Sequence, residues 1–188
     1  MNIIMTGSTS FVGAATVREL LRRGHTVTAI VRPKSSKLDT ILEGNEEALL
    51  SGRLLVTEND LSEPEKLLEK VTKPQDVFCH FGWGGSGSAS RTDKALQEKN
   101  MEISLETIRT AKALGCKKFL FSGSQAEYGM HRDLITENTV CEPKSLYGEA
   151  KLAMREKGEK LCDELGLRYI HARIFSAYGP GDHPWTLV

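Results

Sequence analysis

The stretch TGSTSFVG, Thr6 to Gly13, decides the fold. It follows the apolar run NIIMT (Asn2–Thr6) and opens a segment with helical periodicity from about Phe11 to Arg23. A strand that turns through glycines into a helix aims free backbone N–H groups and the positive helix end at one point, which suits a phosphate. Gly7 permits the tight turn, and Gly13 allows the helix to pack closely on the strand. Ser10 takes the middle position, where a pyrophosphate would come closest to the backbone, and Phe11 and Val12 begin the helix beside it.

Outward from this turn, short β-rich runs alternate with helical patterns. TVTAIV (Thr26–Val31) reads as a second strand, followed by a helix over Leu38–Leu50 and a third strand, RLLVT (Arg53–Thr57). SEPE (Ser62–Glu65) has the form of a capping box with proline in the first turn. DVFCHF (Asp76–Phe81) is a fourth strand. A long helix is expected over Thr92–Leu114, with Met101, Leu105, Ile108 and Ala111 as its apolar stripe and Gly115 as its stop. KKFLFS (Lys117–Ser122) is strand five, Ser145 caps a helix reaching Leu165, and LRYIHARIF (Leu167–Phe175) is strand six. This rhythm implies an α/β protein: a doubly wound parallel sheet of the Rossmann type with helices on both faces.

Such sheets bind a dinucleotide at the carboxyl ends of their strands. After the second strand stands VRPKSSK (Val31–Lys37), where an acid would mark an unphosphorylated ribose. Arg32 there can stack on adenine and pair with a 2′-phosphate, which favours NADP over NAD. Asp60 and Leu61, after strand three, are placed to edge the adenine ring.

The bulk composition narrows the partners. Lys plus Arg and Asp plus Glu are equal at 25 each, so the charge balance points to neither nucleic acid nor an anionic membrane. No apolar run reaches spanning length, and the first ten residues lack a signal-peptide pattern. The chain therefore reads as soluble and cytoplasmic, with no membrane partner. Cys79, Cys116, Cys141 and Cys162 are scattered without metal-ligand spacing and read as free thiols.

SLYGEAK (Ser145–Lys151) places Tyr147 and Lys151 four apart, on one helix face. Taken with the N-terminal glycine turn, FSGSQAEYG (Phe121–Gly129) and RIFSAYGPG (Arg173–Gly181), it resembles the extended branch of the short-chain dehydrogenase/reductase superfamily along essentially the whole chain. The resemblance implies a nucleotide-sugar substrate and an NAD(P) cofactor. Tyr147 then acts as general acid/base, and Lys151 stabilises its phenolate and holds the nicotinamide ribose. Ser124 hydrogen-bonds the reacting oxygen, and Asn100 organises a proton-relay water. Phe81, Gly82 and Trp83, in the glycine-rich loop His80–Ser88, approach the cofactor, with His80 steadying the turn. Gln125 and Tyr178 border the substrate.

Dehydratases of this branch carry an Asp-Glu pair immediately after the serine; here those positions are Gln125 and Ala126, with Glu127 one place displaced. An epimerase or a 4-keto reductase is the expectation. The alternatives are a non-catalytic redox sensor or a cofactor-binding domain without turnover. The resemblance divides the chain into a dinucleotide-binding domain, 1–176, and the start of a substrate-binding region, 177–188. It also implies a homodimer through helices 92–114 and 145–165.

Overall fold

The structure, a computed structural model, describes residues 1–85 and 89–182. Six parallel strands lie in the order β3-β2-β1-β4-β5-β6. They are β1 (Asn2–Thr6), β2 (Thr26–Val31), β3 (Leu54–Glu58), β4 (Val77–His80), β5 (Lys118–Ser124) and β6 (Arg168–Ile174). The order reverses between β1 and β4, so the strand ends there open a crevice. Alternate residues of the strands feed two cores. Ile3 and Met5 join Val17, Leu21, Ile41 and Ala48 beneath α1 (Phe11–Arg22), α2 (Asp39–Leu42) and α3 (Glu46–Leu50). Ile4, Phe78 and Phe119 join Leu67, Ile108 and Met154 beneath α4 (Leu67–Lys70), α5 (Lys94–Ala113) and α6 (Leu146–Leu165).

The departures from expectation are local. The helix expected over 38–50 is two short ones, because Gly44 takes a left-handed φ of 74° and Glu46 turns back to accept its N–H. Ser62 does not cap the proline turn; its hydroxyl and N–H both bond the Asp60 carboxylate, which offers a stronger, charged acceptor. The helix expected from Thr92 begins at Lys94, because Asp93 accepts the Leu96 N–H and caps it, while Thr92 ends a 3₁₀ turn, Ala89–Thr92. The inward face of α5 is more polar than its sequence suggested. Gln97, Asn100, Ser104 and Thr107 are buried at helical spacing beside Ile108 and Ala111, whereas Met101 and Leu105 are half-buried against the core.

No helix among the described residues is long and apolar enough to cross a membrane. All four cysteines are free. Residues 86–88 of the glycine loop and 183–188 of the expected substrate-binding region lie outside the described residues.

Candidate active site

Two cavities lie along the carboxyl ends of the strands, and Ser10, Phe81 and Trp83 line both. The first is built on the phosphate turn and measures about 440 Å³. A Cβ at Gly7 would lie 2.7 Å from the Phe81 carbonyl carbon, and one at Gly13 would strike the Gly7 carbonyl oxygen. The turn therefore closes only with glycine at both places. Ser10 completes it: its hydroxyl donates to the Gly7 oxygen at 2.7 Å and accepts the Gly13 N–H at 3.1 Å, capping α1. Arg32, Asp60, Leu61, Phe81, Gly82 and Trp83 all border this cavity, with Lys37 beside them. Val12 borders the second cavity; Phe11 borders neither. Asp60 is held below the usual carboxylate range, chiefly by the Ser62 hydroxyl and N–H.

A dinucleotide fits these residues. The cradle behind the turn leaves no room for a Cβ, a helix of 12 residues points its N-terminus at it, and two cations stand at the far end.

The second cavity, about 680 Å³, holds the reacting residues. Ser124 ends β5 and caps a 3₁₀ turn over Gln125–Glu127 by accepting the Ala126 N–H at 3.2 Å. Tyr147 lies in the first turn of α6, whose cap is Ser145 accepting the Gly148 N–H. Its ring meets the Trp83 edge at 6.3 Å, and the Arg91 guanidinium stands 4.9 Å from its centroid. Lys151, one turn on, is only 2% exposed. Its Nζ donates to the Ser122 carbonyl at 2.8 Å and lies 3.9 Å from the Trp83 ring centroid. Burial pulls this ammonium down to about 7, with the Glu127 charge opposing the fall. The cause is loss of water around the ammonium, whose hydrogen bond is to one backbone carbonyl.

That position is costly. The lysine is protonated in the unfolded chain up to about 10.5 but sheds its proton in the folded chain above about 7. Its penalty is therefore full below pH 7 and relieved as pH climbs between those values. Lys151→Met should raise the unfolding temperature at neutral pH, and calorimetry should show the gap to wild type narrowing toward pH 10. A gap that widens would refute the buried ammonium.

Four expected site residues border neither cavity: Gly13, packed behind the turn, and Asn100, Tyr178 and Phe11. Asn100 is buried behind the glycine loop, accepting the Gly84 N–H at 3.0 Å and donating to its carbonyl at 2.8 Å. Both ends of its amide are occupied, so it shapes the loop. Tyr178 is 72% exposed and borders neither cavity. Phe11 opens α1 directly after the Ser10 cap and borders neither cavity. His80 is fully buried between Thr6 and Ser104, and burial, then the nearby Lys151, pushes it down to about 3. It steadies the strand end as a neutral ring.

Sequence reading missed the residues behind Ser124. Glu127 is fully buried against His171 and Arg173 of β6. The available signal was the alternation Tyr169, His171, Arg173 in the last strand, which puts three polar side chains on one face.

The family model described as NAD dependent epimerase/dehydratase family matches residues 3–186. The dTDP-6-deoxy-L-talose 4-dehydrogenase (NAD(+)) of Aggregatibacter actinomycetemcomitans is 30% identical over 90% of this chain and 60% of its own length. UDP-glucose 4-epimerase from Thermotoga maritima, solved with UDP-glucose, superposes with a TM-score of 0.81 at 26% identity, over 99% of this chain and 59% of that one. UDP-N-acetylglucosamine 4-epimerase from Methanobrevibacter ruminantium, solved with UDP-N-acetylmuramic acid, gives 0.80 at 26% identity, over 100% and 59%. The chain spans about half to three fifths of the length of the curated relatives it matches.

Proposed function

This chain belongs to the NAD dependent epimerase/dehydratase family, and from that premise we propose that it serves a nicotinamide-dependent oxidoreductase acting on a nucleotide sugar. The observation that carries this reading is that the two cavities share Ser10, Phe81 and Trp83 as wall residues. A ligand laid along them has its phosphates at the α1 N-terminus and its far end beside Ser124, Tyr147 and Lys151. The nicotinamide supplies a hydride acceptor or donor when bound. Tyr147 takes the proton from a sugar hydroxyl as its carbon is oxidised, or returns it on reduction. Ser124 holds the same oxygen, and Lys151 supports the phenolate. Gln125 borders the sugar.

An epimerase or 4-keto reductase fits better than a dehydratase. Gln125 and Ala126 offer no acid-base pair, and the nearby Glu127 carboxylate faces the interior, bound to His171 and Arg173. NADP is favoured over NAD because Arg32 and Lys37 border the adenosine end. Residues 1–176 form the dinucleotide-binding unit in this reading, and 177–188 begin the substrate-binding region, with Tyr178 exposed. The exposed sides of α5 and α6, including half-buried Met101 and Leu105, are the proposed homodimer face.

Calorimetric titration with NADPH, NADH and a panel of UDP-, dTDP-, GDP- and CDP-sugars tests the proposal. NADPH should bind more tightly than NADH, and Arg32→Ala should reduce that preference by about tenfold or more, the value of a charged hydrogen bond to phosphate. No cofactor binding by a folded chain would overturn the reading. Equal affinities would overturn the assignment of Arg32 alone.

A further inference from the structure

We propose that Glu127, His171 and Arg173 form a buried positioning set that fixes Ser124 and latches the 129–142 wall of the substrate cavity. The inference rests on the reading of that cavity as the reacting end, and it assigns three residues that touch neither substrate nor cofactor.

The set is built into the sheet. In the register of β5 with β6, Phe121 pairs with His171 and Gly123 with Arg173, so both polar side chains of β6 emerge on one face. Gly123 clears the space they need. A Cβ there would lie 2.5 Å from His171 Nε2 and 2.7 Å from Glu127 Oε1. The Glu127 carboxylate, fully buried, accepts the Ser124 N–H at 2.7 Å, Arg173 Nε at 2.7 Å and His171 Nε2 at 3.0 Å from each oxygen. The Ser124 backbone is thereby held by a charge-assisted bond, in addition to the bond its hydroxyl accepts from Ala126.

Arg173 carries the set outward. Its Nη1 donates to the Tyr128 hydroxyl at 2.7 Å, and its Nη2 to Cys141 Sγ at 3.3 Å. Tyr128 and Cys141 stand at the two ends of the loop whose Met130, His131 and Ile135 wall the cavity. The neck between them closes through the Glu142 N–H donating to the Tyr128 carbonyl at 3.1 Å. It closes so tightly that a Cβ on Gly129 would strike the Glu142 oxygen.

The ring of His171 completes the set. Its Nδ1 lies 3.1 Å from the Tyr169 hydroxyl, which donates to the Met154 carbonyl at 2.9 Å, and its Nε2 faces both carboxylate oxygens. The Arg173 guanidinium and the His171 ring thus hold one carboxylate. Replacing such a buried cluster with apolar groups is often neutral or stabilising, so global stability alone does not explain its place behind Ser124.

Amide hydrogen exchange on wild type, Glu127→Gln and Arg173→Lys, with ¹⁵N spectra of the histidine ring nitrogens, tests the proposal. Glu127→Gln keeps the volume but removes the charge. It should speed exchange of the Ser124 and Glu142 N–H groups by about tenfold or more, while amides of β1 change little. Arg173→Lys keeps the charge but loses the planar fork, and should free Glu142 more than Ser124. Glu127→Gln should also move the ¹⁵N signal of His171 Nε2, which faces the carboxylate in wild type. Uniform acceleration across all amides, or none at Ser124 and Glu142, would overturn the set; so would an unmoved Nε2 signal. Should Glu127→Gln not fold, the exchange pattern of Arg173→Lys still decides. None of these readouts needs a cofactor, so they stand apart from the titration that tests the oxidoreductase reading.

Discussion

Tyr147→Phe is expected to lower redox turnover by about 10²–10⁴-fold, the range that a positioned general acid/base contributes. The substitution removes one oxygen and leaves the ring, so the edge contact with Trp83 and the stacking under Arg91 persist. Cofactor affinity should therefore stay close to wild type, and the loss should fall on kcat. The check is the absorbance of reduced nicotinamide during turnover of whichever nucleotide sugar the titration identifies, with NADPH affinity measured in parallel. Unchanged turnover would remove Tyr147 from the chemistry. An equal loss of affinity would mean that the phenol binds the cofactor rather than moving a proton.

Phe119→Ala should produce the largest loss of stability. Phe119 is fully buried in the middle of β5. It stacks on Phe78 at 5.6 Å and on Tyr169 at 6.3 Å, joining β4, β5 and β6 through one column of rings. Truncating a buried phenylalanine costs about 3–5 kcal/mol through lost transfer energy and the cavity left behind. For a chain of this size, that lowers the unfolding temperature by about 6–20 °C. Thermal and denaturant unfolding should agree on the loss. A fall below about 1 kcal/mol would mean that the strands collapse to fill the space, and that the column is not rigid.

The two predictions draw on different kinds of information. That Tyr147 and Lys151 share one helix face was legible because they are four residues apart; the proton-transfer role expected of them came from the resemblance of several motifs together. The glycine turn was legible for the same reason: the Ser10 hydroxyl bonds Gly7 and Gly13, each three residues away, although the closeness of Gly7 to Phe81 was not. Strand and helix order followed from periodicity, with errors only where a local competitor intervened, as Asp60 did for Ser62 and Gly44 for the second helix.

The sequence by itself therefore determined the alternation of elements, the parallel sheet they imply, the glycine turn into α1 and the placing of Tyr147 and Lys151 on one helix, since each depends on residues within a few positions of one another. Only the tertiary structure decided what surrounds them. Glu127 and Arg173 are 46 residues apart in sequence and 2.7 Å apart in space, and no local pattern announces that meeting. The same holds for Lys151. Burial beside Trp83 and Phe121 pulls its ammonium down, and the same holds for Asn100, whose amide the Gly84 backbone claims. Secondary structure is encoded by neighbours along the chain, whereas ionisation and hydrogen-bond partners depend on burial and on groups that only folding brings together.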